Sequence, residues 1–317
     1  MITVVTPTFR RPGGLARAIR SVFAQTGAPA EGGFFIVVVD NDPAGSAAET
    51  LSQLATEAPA HITFTHAHEP RAGVANARNT AMSLVKTRRV VFLDDDQTAP
   101  PGWLDALLAF HAQTPAAATF APVETLLPEG IESHHAYLKA FFARTHNGAD
   151  GYIDRAYGCG NTMIDLDLFT APEPMFDTTM NETGGEDDVL FAAVAGTGGR
   201  YAWCSTAPVF EHVPPTRARL DYTLMRAMSY GQGPCTYALK RSPPRYDIVA
   251  VWVLIGLGKA TLHGGLYALR WLIRDPKRAF SLDRAAQGWG KVIWRKDFRI
   301  YGEAALSSSN SAELPAA

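Results

Sequence analysis

The first hundred residues alternate short runs of β-branched and aromatic residues with longer stretches of helical periodicity. The runs typical of strands are Ile2–Val5, Phe34–Val39, Ile62–Thr65 and Val90–Leu93. The stretches typical of helices are Gly14–Gln25, Ala47–Ala58 and Gly73–Lys86. Near-continuous apolar runs suit strands that are buried on both faces, and their alternation with helices predicts a parallel sheet with right-handed crossovers. The expected fold class is therefore α/β.

Ligands of such sheets bind beyond the carboxyl ends of the strands. Three polar segments directly follow predicted strands here, namely Thr6–Arg11, Asp40–Asp42 and Asp94–Asp96. We therefore expect a ligand site at this edge of the sheet.

The remainder of the chain has a less regular pattern. It predicts a helix at Pro101–Gln113, a strand near Ala117–Val123 and a helix at Arg217–Leu239. The two prolines of the following sequence RSPPR are expected to end the last helix. These changes divide the chain into a domain at residues 1–215, a helical connector at 216–246 and a C-terminal region at 247–317. The low-complexity tail Ser307–Ala317 is expected to be disordered.

The segment Ile248–Ile273 is apolar around most of its circumference. Its cationic residues and His263 fall in one stripe, formed by Lys259, His263, Arg270 and Arg274. Together with nearby tryptophans, this pattern predicts a membrane-surface helix on an anionic leaflet. The alternative is a core helix of a soluble C-terminal bundle, which periodicity alone does not exclude.

Composition excludes several protein classes. The 317 residues are 47% hydrophobic and 19% charged, which excludes a disordered, collagen-like or coiled-coil chain. The net charge of −2 gives no reason to expect a nucleic-acid partner. It combines −11 over residues 1–215 with +9 over residues 216–317, so the two parts are expected to meet different partners.

The cysteines and the N-terminus indicate the compartment. Cys159, Cys204 and Cys235 lie far apart, without metal-ligand spacing or a disulfide framework, which indicates a reducing cytosol. The N-terminal residues predict a strand at once and lack the layout of a signal peptide, so we do not expect export.

The strongest local signal for chemistry is the sequence VVFLDDD, which ends in Asp94–Asp96. Three consecutive carboxylates at a strand end repel one another unless a cation compensates. Hard oxygen ligands suit Mg²⁺ or Mn²⁺, particularly when phosphate oxygens complete the shell. The alternative is an acidic turn that faces water.

A second acidic cluster, Glu186–Asp188, follows two glycines and opens an apolar helical run. It would suit proton abstraction from a substrate, although the helix dipole alone favours acids in a first turn. Arg78 could pair with phosphate, and His212 could ligate a metal as neutral imidazole. An exposed helical arginine and a structural histidine are the corresponding alternatives.

Other chemistries lack their motifs. The sequence contains no GxxxxGK[ST] phosphate loop and no GxGxxG after a strand, which disfavours kinases, ATPases and NAD enzymes. It also has no GxSxG elbow, which disfavours α/β-hydrolases.

Taken together, these residues resemble the inverting glycosyltransferases of family 2, which have a GT-A fold. The resemblance covers roughly residues 1–235, with the motifs in the family's order. It implies a GT-A domain at residues 1–215, with a nucleotide-sugar half at 1–96 and an acceptor half at 97–215. A helical, membrane-associating C-terminal region would follow.

The donor side of the family is matched by several segments. TPTFRRP resembles the loop that holds the nucleotide, VVVDND the second strand end, AGVANARN the segment before the metal motif, and LDDD the DxD motif. The resemblance implies that Asp40 accepts a hydrogen bond from the base. It implies donor binding by Thr6, Pro7, Thr8, Arg10, Asp40, Arg78, Asp94 and Asp95. It implies a Mn²⁺ or Mg²⁺ ion bound by Asp94, Asp96 and His212.

The acceptor side is matched by GGEDD, which resembles the family's ED motif, and by YGCGN, which resembles the stretch that lines the acceptor. The resemblance implies Asp187 as the catalytic base. It implies acceptor binding by Gly185, Glu186, Asp188 and Asn161.

The implied function is the transfer of a single sugar from a nucleotide diphosphate-sugar to a hydroxyl of a glycan or lipid-linked glycan. The closest resemblance is to bacterial enzymes of exopolysaccharide or cell-envelope assembly, so we expect a cytoplasmic protein at the inner face of the membrane. Processive members carry QxxRW, whereas Arg270–Trp271 here has Tyr267 in place of the glutamine. One sugar per encounter is therefore expected.

Two other functions compete with this interpretation. A sugar-nucleotide pyrophosphorylase also uses a parallel sheet and a carboxylate-bound metal, although it would carry a denser Gly-rich, basic loop after its first strand. A non-catalytic membrane-peripheral carbohydrate-binding protein would be expected to lose the acids Asp94, Asp96 and Asp187, which are intact.

Overall fold

The computed structural model describes residues 1–182 and 184–295. The helices are α1 (Pro12–Phe23), α2 (Ala28–Gly32), α3 (Ala48–Glu57), α4 (Val74–Leu84), α5 (Trp103–Gln113), α6 (His135–Phe142), α7 (Glu186–Gly196), α8 (Leu220–Leu239), α9 (Tyr246–Leu272) and α10 (Arg278–Val292). The strands are β1 (Ile2–Thr8), β2 (Phe34–Asp40), β3 (Ile62–His68), β4 (Arg89–Phe92), β5 (Gln97–Thr98), β6 (Ala118–Phe120), β7 (Val123–Leu126), β8 (Gly151–Ile153), β9 (Thr162–Asp165), β10 (Tyr201–Trp203) and β11 (Val209–His212). The predicted disorder of Ser307–Ala317 lies outside the described residues.

The first half of the chain folds as the alternating pattern predicts. An eight-stranded sheet has the order β3-β2-β1-β4-β9-β6-β10-β8, and β3, β2, β1 and β4 are all parallel. The predicted strands and helices of the first hundred residues are present, with ends that differ by a few residues. The carboxyl ends of β1, β2 and β4 therefore meet at one edge of the sheet.

The second half of the sheet is mixed rather than parallel. β9 runs antiparallel to both β4 and β6, and β8 runs antiparallel to β10. The insertion of β9 matters for the site, because the loop before β9 thereby reaches the carboxyl end of β4. A second, small sheet has the order β5-β11-β7.

The strands of the large sheet are buried on both faces. On one face, Val4 and Ile36 pack with side chains of α1, α3 and α5. On the other face, Val5 and Val37 pack with side chains of α4 and α7. Helices cover both faces, which explains why these strands are almost continuously apolar.

The described chain divides into two compact units. Of the described residues, the first unit comprises Met1–Glu124 and Ala143–His212, and the second comprises Thr125–Phe142 and residues 213–295. The predicted helix at Arg217–Leu239 is present as α8. Residues Thr125–Phe142, which contain α6, group with the C-terminal helices.

Apolar packing explains why α6 and α8 belong to the second unit. Tyr137 and Leu138 of α6 form a cluster with Ala279 of α10, and the Tyr137 ring makes an edge contact with Phe280 at 5.4 Å. Cys235 and Ala238 of α8 pack with Val249 of α9. Helices α6 and α8 are therefore integral parts of a helical unit.

Helix α9 is long and apolar enough to cross a membrane by length and composition. Its most apolar 18-residue window has a mean hydropathy of 1.5, and 17% of that window is buried. Low burial argues against the alternative of a core helix, since a core helix would be mostly covered.

Close contact between α9 and α10 depends on glycine. A Cβ at Gly288 would lie 2.6 Å from the Ala260 nitrogen and 2.7 Å from the Gly256 oxygen. These are backbone atoms, which cannot move aside separately, so the two helices would have to separate.

We therefore expect Gly288→Ala to lower the free energy of unfolding by about 1–3 kcal/mol, as overpacking does elsewhere. Gly258→Ala is the matched control, because nothing lies within 4 Å of its added methyl group. Urea unfolding followed by circular dichroism should show destabilisation only for the first variant. Equal stability of the two variants would contradict this description of the helix contact.

Candidate active site

The carboxylates Asp94–Asp96 directly follow β4 and lie in a tight turn. The Asp94 amide donates to Gln97 Oε1 at 3.2 Å, and the Gln97 amide donates to the Asp94 carbonyl oxygen at 3.0 Å. The Asp94 side chain is 36% exposed. Among the described residues, none donates a hydrogen bond to its carboxylate, which leaves those oxygens available to a ligand.

Asp95 is buried and is held by the loop after β1. Its carboxylate accepts hydrogen bonds from Thr8 Oγ1 at 2.8 Å, from the Phe9 amide at 3.3 Å and from Arg11 at 2.9 Å. The same Arg11 nitrogen, Nη1, lies 2.8 Å from Asp96 Oδ2. Burial raises the pKa of Asp95 to about 6, although Arg11 opposes the rise. Arg11, which sequence analysis did not single out, thus neutralises part of the acidic cluster.

A buried ion pair joins the two acidic clusters. Arg78 of α4 donates to Glu186 at the start of α7, and its Nη2 lies 3.8 Å from Asp94 Oδ1. Burial alone would lower the pKa of Arg78, but nearby carboxylates, including Glu186 and Asp94, keep it above its ordinary value. The guanidinium also lies 5.5 Å from the ring centroid of Phe176.

The sequence placed Arg78 on the donor side and Glu186 on the acceptor side. Their side chains are only 7% and 6% exposed, and each neutralises the other in the structure. The ion pair thus connects α4 with the start of α7.

Other residues of α4 strengthen the same connection. Asn79 exchanges two hydrogen bonds with the backbone of Phe176, at 2.8 and 2.9 Å. Asn181 Oδ1 accepts from the amides of Ala75 and Asn76 at the start of α4. The motif AGVANARN thus attaches α4 to the chain that leads into α7.

Asp187 lies in the first turn of α7, after Gly185, whose φ of 95° is in the left-handed region. A Cβ at Gly158 would lie 3.0 Å from Asp187 Oδ2, and a Cβ at Gly160 would lie 2.3 Å from Asp94 Oδ2. Both carboxylates therefore lie against one short loop before β9, and the two glycines leave room for them. Asp187 is half-buried and Asp188 is exposed.

Arg144 is a second cation at this loop that sequence analysis missed. Its Nη1 donates to the Asn161 carbonyl oxygen and to Thr162 Oγ1, each at 3.2 Å. Its Nη2 lies 3.9 Å from the position of a Cβ at Gly158. Burial lowers the pKa of Arg144, while Asp94 and Asp187 raise it. No pattern in the sequence marks this residue, because its neighbours in the chain carry no motif.

Asn161, which the sequence placed on the acceptor side, makes hydrogen bonds within the protein. Its side chain is fully buried and accepts from the Trp103 indole nitrogen at 2.8 Å. It also donates to the carbonyl oxygens of Pro122 and Ala207, at 2.7 and 2.9 Å. Its φ of 52° is tolerated by asparagine and directs the backbone out of the glycine loop.

Three residues that the sequence placed on the donor side are buried. Asp40 is 2% exposed, and its two carboxylate oxygens accept from the amides of Asp42 and Ala47, so it shapes its own loop. Thr6 is fully buried within β1, and the Thr8 hydroxyl donates to Asp95.

The remaining donor-side residues lie at the expected edge of the sheet. Pro7 is half-buried at the end of β1, and Arg10 Nε lies 3.3 Å from Asp42 Oδ1. The His212 amide donates to the Asp96 carbonyl oxygen at 2.8 Å, and His212 Nε2 lies 2.9 Å from Thr98 Oγ1. Burial lowers the pKa of His212, which favours the neutral imidazole that metals require.

The donor set suits a hard divalent cation. Asp94 supplies unbonded oxygens, and Asp96 lies two residues further along the same turn. Among residues 1–182 and 184–295, no group of three or more His, Cys, Asp or Glu side chains is placed to hold a metal ion. Mg²⁺ commonly takes one or two carboxylates from the protein and further oxygens from substrate phosphates, which these residues fit.

Comparison with known proteins identifies related sequences and folds. Residues 3–169 match the sequence model of the family described as Glycosyl transferase family 2. The chain is 31% identical to the succinoglycan biosynthesis protein ExoM of Rhizobium meliloti (strain 1021) over 231 residues, which are 71% of each chain. It is 36% identical over 116 residues to the succinoglycan biosynthesis protein ExoW of the same strain, and that match spans 36% of this chain and 34% of ExoW.

Two solved structures share the fold. The mannosyltransferase PcManGT from Pyrobaculum calidifontis, in complex with GDP-Man and Mn²⁺, aligns with a TM-score of 0.61 at 18% identity, over 93% of this chain and 88% of its own. S. aureus TarS 1-349 in complex with UDP-GlcNAc aligns with a TM-score of 0.53 at 13% identity, over 95% and 98%.

The buried pair of Arg78 and Glu186 generates a prediction. We expect Arg78→Met to cost about 3–5 kcal/mol of stability, because it leaves a carboxylate buried without compensation. The double variant Arg78→Met/Glu186→Gln should recover at least about 1 kcal/mol of that loss, since neither charge then remains. Urea unfolding of the wild type, both single variants and the double variant measures the coupling. Purely additive losses would contradict the pairing.

Proposed function

The chain belongs to glycosyltransferase family 2, and from this premise we propose that it transfers one sugar from a nucleotide diphosphate-sugar to an acceptor hydroxyl, with inversion at the anomeric carbon. Family membership makes it a glycosyltransferase and disfavours both a pyrophosphorylase and a non-catalytic binding protein.

One observation carries the proposal. Asp94 and Asp187 come from distant parts of the sequence, yet each places a carboxylate oxygen against the loop Gly158–Gly160. Inverting transfer needs positive charge that stabilises the leaving diphosphate, such as a cation held by carboxylates, and a base on the opposite side of the sugar. Two carboxylates against the same short loop support this division of roles.

We assign the role of general base to Asp187. It takes the proton from the acceptor hydroxyl as the oxygen attacks the anomeric carbon, and the bond from that carbon to the leaving diphosphate oxygen breaks. The proton later passes from Asp187 to water.

We assign the donor diphosphate to the edge formed by the ends of β1 and β4. Asp94 and Asp96, with His212 close by, would hold Mn²⁺ or Mg²⁺. Such an ion, when bound, offsets negative charge on the leaving diphosphate. Arg11 keeps Asp96 in place through their 2.8 Å contact, and Pro7 and Arg10 lie at the rim where a nucleotide would enter. Arg144 supplies a further positive charge near both carboxylates.

We assign the acceptor to the side of Asp187 and Gly185, with the exposed Asp188 at its entrance. The acceptor class comes from the relatives, two of which are named as succinoglycan biosynthesis proteins. We therefore propose a glycan or lipid-linked glycan of exopolysaccharide or envelope assembly. The apolar helix α9 supports work at the inner surface of the cytoplasmic membrane, where lipid-linked acceptors are held.

Replacing the proposed base should separate chemistry from binding. Asp187→Asn should lower kcat by about 10²–10⁴-fold, because general base catalysis typically contributes that much. The dissociation constant of the donor, measured by calorimetry, should change less than about threefold (0.7 kcal/mol). Asp188→Asn is the matched control, since it removes an equal charge one residue further along α7 and should alter acceptor KM more than kcat. Undiminished turnover in Asp187→Asn would refute the assignment.

The glycine loop can be tested without touching a charged residue. Gly160→Ala should push Asp94 from its position and weaken donor binding, whereas Gly158→Ala should displace Asp187 and lower kcat. Neither position has a positive φ, so alanine adds a methyl group without backbone strain. We expect at least about a tenfold effect (1.4 kcal/mol) on the respective constant. If both variants behave as the wild type, the two carboxylates do not flank this loop.

Metal dependence can be measured directly. Treatment with EDTA should abolish transfer, and Mn²⁺ or Mg²⁺ should restore it. Asp94→Asn should raise the Mn²⁺ concentration needed for half-maximal donor binding by at least about tenfold, because a neutral amide replaces a charged ligand. Full activity in EDTA, or an unchanged metal requirement in the variant, would remove the metal from the proposal.

A further inference from the structure

Helix α9 has one bare apolar side and one covered side. Val251, Leu262 and Leu269 are 55%, 62% and 56% exposed. At 100° per residue they fall within about 20° of one another around the helix. Val249 and Ala260 lie about 160–180° away and are 3% and 5% exposed. Among the described residues, nothing covers the bare side.

The covered side is attached to α10. The Gly256 position lies against the Gly288 carbonyl oxygen, where a Cβ would meet it at 2.7 Å. Lys259 Nζ donates to Gln287 Oε1 at 2.7 Å, and Arg270 Nη1 donates to Ser281 Oγ at 2.6 Å. Two members of the cationic stripe predicted from the sequence are therefore used to hold α10.

This attachment argues against a membrane-spanning α9. If α9 crossed the bilayer, α10 would have to enter the hydrocarbon with it, because the two helices are in backbone contact. Helix α10 has 15 residues and four charged side chains, Arg278, Asp283, Arg284 and Lys291. It would reach only about 22 Å, short of the roughly 30 Å hydrocarbon core, and charges there are strongly disfavoured.

The charge and the aromatic residues of this region suit a membrane surface. Residues 240–295 carry 11 Lys and Arg against three Asp, a net charge of +8. Trp271 and Trp289 are 59% and 49% exposed. Basic residues with exposed tryptophans are typical of segments at the interface of anionic bilayers.

We propose that α9 lies in the plane of the membrane interface, with the Val251–Leu262–Leu269 side in the outer acyl region and α10 on the aqueous side of α9. The bare side of α9 thus contacts an anionic lipid surface, and the protein is monotopic rather than membrane-spanning. This inference rests on the proposed action at a membrane-held acceptor, which it deepens by naming how the enzyme is held there.

Depth measurements at three sites test the orientation. Nitroxide labels at Val251→Cys, Leu262→Cys and Leu269→Cys of the full chain would be measured by electron paramagnetic resonance. The vesicles would contain phosphatidylcholine and phosphatidylglycerol at 3:1, with oxygen and a nickel chelate as relaxation agents. The native residues Cys159, Cys204 and Cys235 are all buried, so we expect them to react little with the label. Wild-type protein treated in the same way measures the background labelling.

An in-plane helix predicts equal depths at the three sites, within a few ångströms, about 5–10 Å below the headgroups. A spanning helix would separate Val251 from Leu269 by about 27 Å along the bilayer normal and would overturn the proposal. Labels that are protected from the nickel chelate without vesicles would also overturn it, because another part of the chain or a second copy would then cover the face.

Binding itself provides the second readout. In vesicle flotation, the wild type should be recovered with anionic vesicles. Recovery should fall at least fivefold for Leu262→Asp. The control Met225→Asp adds the same charge on α8 and should not lower recovery. Recovery that is equal for both variants would overturn the assignment of this face. Sugar transfer to a soluble acceptor, measured on the wild type without vesicles, reports the proposed function separately, so a failure of either proposal can be identified.

Discussion

The buried contact between Arg78 and Glu186 is the constraint on which the site depends. A carboxylate and a guanidinium that are both excluded from water must stay together, because either alone would be strongly destabilising. Arg78 is fixed on α4 and also approaches Asp94 at the end of β4. Glu186 opens α7. The pair therefore sets the position of the next residue, Asp187, relative to Asp94, although the pair itself contacts neither donor nor acceptor in our proposal.

Two glycines in the loop before β9 leave room for the carboxylates of the site. Gly158 and Gly160 have no side chains, so Asp187 and Asp94 can lie against the backbone. Asn161 then holds the loop from behind through three hydrogen bonds to residues of other segments. The two glycines thus allow the carboxylates to approach the loop closely, and the adjacent Asn161 supports the loop. Because such a loop is preorganised, the carboxylates need little rearrangement when a substrate binds.

Local sequence patterns predicted the parallel half of the sheet well, because apolar runs with intervening helices have few alternative folds. They also located Asp94–Asp96 and Glu186–Asp188 correctly at the ends of elements. They did not reveal that four of the predicted site residues are buried and bind other parts of the protein, because a motif does not show which way a side chain points. These residues are Asp40, Arg78, Glu186 and Asn161. Arg11 and Arg144 were missed for the converse reason, since their partners lie far away in the chain and only the fold brings them together.

A structure of the enzyme with an unreactive nucleotide diphosphate-sugar and Mn²⁺ would show whether Asp94 and Asp187 serve the same reaction. We predict that the diphosphate lies beside Asp94 and that the anomeric carbon faces the loop Gly158–Gly160, with Asp187 on the side opposite the leaving oxygen. A sugar whose anomeric carbon faces another carboxylate, or a diphosphate bound away from Asp94, would contradict it.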